Sequence, residues 1–110
     1  MTKFETFLGK NNEHYFRLIN DKGEILLSSE GYIQKDGLLN GIASVKKNIV
    51  VPELYELKTA ANGKHFFNLK AKNGQVISKS AMWDSKELLD TYMQTMKTEV
   101  PAADVIESNK

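Results

Sequence analysis

The chain has 110 residues, 41% of them hydrophobic, no cysteine, and 15 basic against 14 acidic residues for a formal net charge of +1. That balance gives no bulk attraction to a polyanion, and the lack of cysteine excludes disulfides and thiolate metal sites. No apolar run approaches the roughly 18 residues of a membrane span and Met1-Thr2-Lys3-Phe4 lacks a signal-peptide pattern, so the expectation is a cytoplasmic chain with no membrane partner.

Lys3–Leu8 reads as a strand ending in the turn signal Gly9-Lys10-Asn11-Asn12. His14–Ile19 is the second strand, followed by Asn20-Asp21-Lys22-Gly23, a hairpin turn whose glycine supplies positive φ. Glu24–Ser29 is the third. From about Lys35 to Asn48 the apolar residues Leu38, Ile42, Val45 and Ile49 return at helical spacing, with Leu39 beside them. That stripe requires an apolar surface to pack on. Lys46 and Lys47 suit the last turn of a helix, and Asn48 is a candidate left-handed cap. Asp36-Gly37 is a weak opening. Val50-Val51 before Pro52 is at most a very short strand.

The same arrangement then recurs. A gapless shift of 51 positions places Phe4 on Tyr55, Phe16 on Phe67, Leu18 on Leu69, Gly23 on Gly74, Tyr32 on Trp83 and Leu38 on Leu89. Glu5/Glu56, His14/His65, Ser29/Ser80 and Lys35/Lys86 are identical pairs, and Ile42/Met93 and Val45/Met96 keep their apolar character. The chain is an internal duplication. In the second half, Asp84 stands three residues before Glu87 as a capping box, and the helix runs to about Thr98, short of Pro101.

Lys3-Phe4-Glu5 and Leu54-Tyr55-Glu56 have a third echo at Val105-Ile106-Glu107, the start of a third repeat. The echo reads as a closing strand that does for the second half what Leu54–Ala60 does beside the first, pairing within the sheet and across to the first half. Ser108-Asn109-Lys110 does not favour a strand.

Strand alternation assigns the faces. His14, Phe16 and Leu18, matched by His65, Phe67 and Leu69, belong under the helices. The opposite face takes Tyr15, Arg17 and Ile19 in one half and Phe66, Asn68 and Lys70 in the other, with Glu5, Phe7, Glu56 and Lys58 from the first strands. In the third strands both parities are apolar (Ile25/Val76 and Leu26/Ile77), so their facing stays open. The expected shared core is Phe16, Leu18, Leu38, Ile42 and Val45 with Phe67, Leu69, Leu89, Met93 and Met96.

Ser29-Glu30-Gly31-Tyr32, Lys35 and the string Asn40-Gly41-Ile42-Ala43-Ser44-Val45-Lys46-Lys47-Asn48 closely resemble the signature of the YegP-like proteins, small bacterial proteins of one or two modules. The resemblance covers nearly the whole chain. It implies a β-β-β-α-β module, two of which share one sheet with exchanged C-terminal strands, and it supplies no activity. Thr91-Tyr92-Met93 replaces Asn40-Gly41-Ile42 in the second half, so any role of the Asn-Gly pair is confined to the first.

Each candidate site has a plainer reading. Gly41 is mid-helix, where glycine costs about 1 kcal/mol against alanine; close helix–sheet packing explains it better than an exposed backbone for a ligand. His14 and His65 could meet across a two-fold to hold a metal, but two histidines without a third ligand are incomplete, and core-edge fillers fit better. Lys46-Lys47 are ordinary helix-end cations. Glu5 and Glu56 are a symmetric pair that nothing places within reach of each other. Ser28, Ser29, Ser44, Ser78 and Ser80 lack a nucleophile elbow, and there is no Gly-rich phosphate loop and no HExxH. No catalytic residue, metal site or cofactor is expected, and no enzyme.

The expected fold is α+β: two β-β-β-α-β repeats in one pseudo-two-fold antiparallel sheet, two helices on one face, C-terminal strands exchanged. Residues 1–53 and 54–110 are the repeats, together one compact structural domain. The open face is the candidate binding surface, carrying Phe7, Tyr15, Arg17, Ile19, Lys58, Phe66 and Lys70, too much apolar surface to leave wet. Its expected partner is another protein or a second copy of the chain. The alternative is a single-stranded nucleic acid, bases stacking on Tyr15 and Phe66 beside Arg17 and Lys70; near-zero charge, Glu5, Glu56 and the lack of an RNP-like string oppose it.

Overall fold

A computed structural model describes residues 2–107. The elements run β1 (Lys3–Leu8), β2 (His14–Ile19), β3 (Ile25–Ser29), α1 (Lys35–Asn48), β4 (Tyr55–Thr59), β5 (His65–Lys70), β6 (Val76–Ser80), α2 (Lys86–Glu99) and β7 (Asp104–Glu107). Short 3₁₀ turns, Pro52–Leu54 and Val100–Ala102, lead from each helix into the strand that follows it. One seven-stranded sheet results, in the order β4-β5-β6-β3-β2-β1-β7. Both helices cover the same face.

Two β-meanders meet at the β3–β6 seam, where Ser28 opposes Lys79. The strand after each helix belongs to the other half's meander: β4 pairs with β5, and β7 with β1. β7 does pair in the sheet, tying the first half to the last. It runs parallel to β1, with Phe4 opposite Val105 and Thr6 opposite Glu107, so the sheet is mixed rather than antiparallel throughout. Leu54–Ala60 does not flank the first half; β4 lies at the far edge. Val50-Val51 is no strand, because the chain turns there into the 3₁₀ segment begun by Pro52.

The helix stripe buries Leu38, Ile42, Val45, Leu89 and Met96 against Phe16, Leu18, Phe67 and Leu69 in a single cluster that also takes in Phe4, Leu26, Leu27 and Ile49. Met93 is only half-buried at its rim. The open question of the third strands is resolved by a bulge. Leu18 opposes Leu27 while the next residue, Ile19, opposes Ile25, leaving Leu26 as the extra residue. Leu26 and Leu27 are both buried. In β6 the same bulge makes Ile77 the extra residue and sets Ser78 in the position of Leu27; Ser78 is buried and its hydroxyl has no hydrogen-bond partner among the described residues.

Helix ends depart from expectation in two places. Ser85, not Asp84, caps α2, its hydroxyl accepting from the Leu88 amide at 3.1 Å. Asn48 is not a left-handed cap: α1 runs through it, and Ile49 keeps right-handed geometry (φ −60°). Burial of Asn48 and Ile49 against the core holds that last turn closed. The identical serines serve the sheet. Ser29 Oγ accepts from the Phe16 amide and Ser80 Oγ from the Phe67 amide, both at 2.9 Å, extending the ladders past the strand ends.

Gly41 is explained by packing. A Cβ there would run into the Tyr32 hydroxyl. In the second repeat Tyr92 occupies that position and stacks on Trp83, the counterpart of Tyr32, with centroids 4.9 Å apart. Gly41→Ala will therefore lower stability by about 1–3 kcal/mol in urea denaturation, overpacking outweighing the helix-propensity gain. Tyr32→Phe in the same chain will recover part of the loss. A stabilised Gly41→Ala chain would contradict this packing.

Candidate functional site

Among the described residues, no element covers the face opposite the helices. Strand register lays one polar row straight across it, Glu56–Asn68–Lys79–Ser28–Arg17–Glu5, each residue opposite the next. Lys79 thus shares this face, and with Ser28 it holds the seam. The sequence left the facing of Lys79 open and did not single out Ser28, because the bulges hide the parity of β3 and β6.

Aromatic residues flank the row on both sides, and each ring is already covered. Phe7 and Tyr15 lie opposite one another and stack, centroids 5.6 Å apart and 16° from parallel. The Arg17 guanidinium sits 4.7 Å from the Phe7 centroid while Glu5 accepts from Arg17 Nε at 2.6 Å. In the other half Lys79 Nζ lies 4.9 Å from the Phe66 centroid, which leaves Phe66 9% exposed. Long cationic side chains lying over rings keep their stems on apolar surface and their charge in water. Phe7, Tyr15, Arg17, Ile19 and Lys70 are half-buried, and Lys58 is exposed.

Glu56 has three polar neighbours on the face. Asn68 and Lys70 each donate to it at 3.2 Å, with Lys58 4.0 Å away. Those bonds, led by Asn68 and then Lys70, hold its carboxyl below the usual range. Its counterpart Glu5 is five strand spacings away, roughly 24 Å at about 4.8 Å per strand. The two glutamates cannot act on one substrate atom.

The histidines do not meet. β3 and β6 lie between β2 and β5, and the strands run in opposite senses, so His14 and His65 sit at opposite ends of the sheet. Each instead closes a backbone bridge, His14 to Tyr32 and His65 to Trp83. Lys46 lies over the Phe4 ring at 6.0 Å and Lys97 over Tyr55 at 5.4 Å, the same contact repeated. Burial raises the Tyr55 hydroxyl's pKa well above the usual value, while that hydroxyl donates to the Ile49 carbonyl at 2.6 Å. These groups staple the helices to the sheet. Among the described residues, no three His, Asp or Glu side chains gather to hold a metal ion, and no helix is long and apolar enough to cross a membrane.

Comparison with known proteins points one way. A family model described as "Domain of unknown function (DUF1508)" matches twice, over residues 10–56 and 60–107. The UPF0339 protein of Pseudomonas aeruginosa is 41% identical over 101 residues, 92% of each chain. UPF0339 protein YegP of Escherichia coli K12 is 42% identical over 94 residues, 86% of each. The solution structure of E. coli yegP, a protein of unknown function, superposes with a TM-score of 0.89 at 37% identity, covering 97% of this chain and 92% of that one. The UPF0339 protein of Shewanella oneidensis does so with the same TM-score at 32% identity, covering 96% and 90%.

Proposed function

The chain belongs to the DUF1508 family of uncharacterised, YegP-like UPF0339 proteins, and from that premise we propose that it is a non-catalytic interaction module whose bare sheet face binds a protein partner. In this proposal residues 1–53 and 54–110 act as halves of one structural domain. One observation carries it: a whole sheet face is left without a covering layer, with Phe7, Tyr15 and Ile19 half-exposed around the Arg17–Ser28–Lys79 centre. Rings already covered by their own cations suit a protein interface, where Tyr, Phe and Arg are enriched. They suit base stacking poorly. A nucleobase would have to displace Arg17 from Phe7 or Lys79 from Phe66, and Arg17 and Lys70 already spend their charge on Glu5 and Glu56.

Affinity capture of the tagged chain from its own cells tests this, with and without nuclease, beside a folded Tyr15→Ala, Arg17→Glu variant. The expected result is a protein that survives nuclease and is lost from the variant. Nuclease-sensitive capture would favour the single-strand reading instead. So would binding to mixed single strands that falls steeply with salt and is lost in Tyr15→Ala, Phe66→Ala, each stacked base being worth about 1–3 kcal/mol.

A further inference from the structure

The duplication makes β4 the structural equivalent of β1, yet the two sheet edges are not treated alike. β1 has β2 on one side and β7 on the other; among the described residues β4 has β5 and no second neighbour. Beneath each edge runs a groove between strand and helix. The groove under β1 has a volume of 260 Å³ and is walled by Thr6, His14, Lys35, Leu38 and Glu107. Under β4 the matching residues Leu57, His65, Lys86 and Leu89, joined by Asp90 and Met93, wall a larger groove of 370 Å³. The missing wall is the one that β7 supplies at the first.

The occupied edge shows what its counterpart would take. β7 lies parallel to β1 with Glu107 opposite Thr6, and Lys35 at the start of α1 donates to the Glu107 carboxylate at 2.6 Å. At the other edge Lys86, the identical partner of Lys35 across the repeat, makes no ion pair among the described residues. Leu57, at the position of Thr6, is 61% exposed. An apolar residue and a cation thus stand at an open strand edge, and the same fold elsewhere in the molecule fills that place with Val-Ile-Glu.

We propose that the outer edge of β4 accepts an extended segment of a partner protein, apolar–apolar–acidic in sequence, which adds parallel to β4 and sets its carboxylate on Lys86. Strand addition to a sheet edge takes its affinity from main-chain bonds and its specificity from alternate side-chain sites. The register of β7 on β1 aligns the two apolar residues with Tyr55 and Glu56 and the acid with Leu57. A second copy of this chain is a poorer occupant. Its β7 would have to abandon its own β1, with no net gain of pairing. Two β4 edges joined antiparallel would bring no β4 acid to Lys86, because Glu56 faces the opposite side and is held by Asn68 and Lys70.

The probe is a fluorescent peptide of residues 102–110, titrated into the intact chain and followed by anisotropy and by amide chemical shifts. Saturable binding is expected, with shifts along Tyr55–Thr59 and none along Lys3–Leu8. Lys86→Glu in the chain will weaken binding about tenfold or more, and a peptide carrying Glu107→Lys will restore it to that variant. No binding, binding indifferent to Lys86→Glu, or shifts at Lys3–Leu8 that report displacement of β7 would each overturn the proposal. So would a dimer in sedimentation equilibrium that buries β4 and excludes the peptide.

Discussion

Phe16→Ala and Phe67→Ala will each lower the free energy of unfolding by about 3–5 kcal/mol, measured by urea or guanidinium denaturation. Neither ring has room to be replaced by a neighbour. Phe16 is 1% exposed, edge-on to Phe4 with centroids 5.6 Å apart, and Phe67 is fully buried against Tyr55 at 4.8 Å. Each truncation leaves a cavity beneath a helix. Against a total stability of about 5–15 kcal/mol for a domain of this kind, either change removes a large share. The two losses should be similar, since the positions are equivalent across the repeat. A loss under about 1 kcal/mol at either site would mean that the core collapses around the gap.

Truncation after Ala102 will lower the melting temperature by about 10 °C, equivalent to about 2 kcal/mol, and promote aggregation or dimer formation. Removal of β7 strips the parallel ladder from β1 and the Lys35–Glu107 pair from the head of α1. It also bares the Thr6 hydroxyl, which donates to the Ile106 carbonyl at 3.4 Å. Thermal denaturation and sedimentation of the truncated chain check both consequences. A truncated chain as stable and as monomeric as its parent would show β7 to be dispensable.

Much of this was legible in the sequence because the chain states its plan twice. The shared spacing of Phe16/Phe67 and Leu38/Leu89 fixed which sides face inward, and the Leu38–Ile42–Val45–Ile49 stripe placed α1 at its observed limits. The third echo at Val105-Ile106-Glu107 foretold a strand. It did not foretell direction, since an echo carries composition and register but not the path by which α2 returns the chain to β1. The bulges were invisible because Ile25, Leu26 and Leu27 are all apolar, so no period of two survives there. Ser85 was passed over for Asp84 because both residue types cap helices well. On the open face, alternation separated Tyr15, Arg17 and Ile19 from Phe16 and Leu18. It could not say that Arg17 lies on Phe7 and Lys79 on Phe66, which depends on rotamers chosen by neighbours. Ser108-Asn109-Lys110 lies outside the described residues.

The pairing of the first strand with the last also sets a timetable for the nascent chain. Thr6 meets Ile106 across 100 residues, so β1 waits for its second neighbour until that much more chain has been made. At about 5–20 residues per second that wait is about 5–20 s, far longer than hairpins need to form. The β1-β2-β3 meander can assemble on the ribosome, but until β7 emerges its outer edge is as open as that of β4. A growing polysome therefore presents many copies of an unfinished edge close together, and the pairing of β7 is the event that retires it.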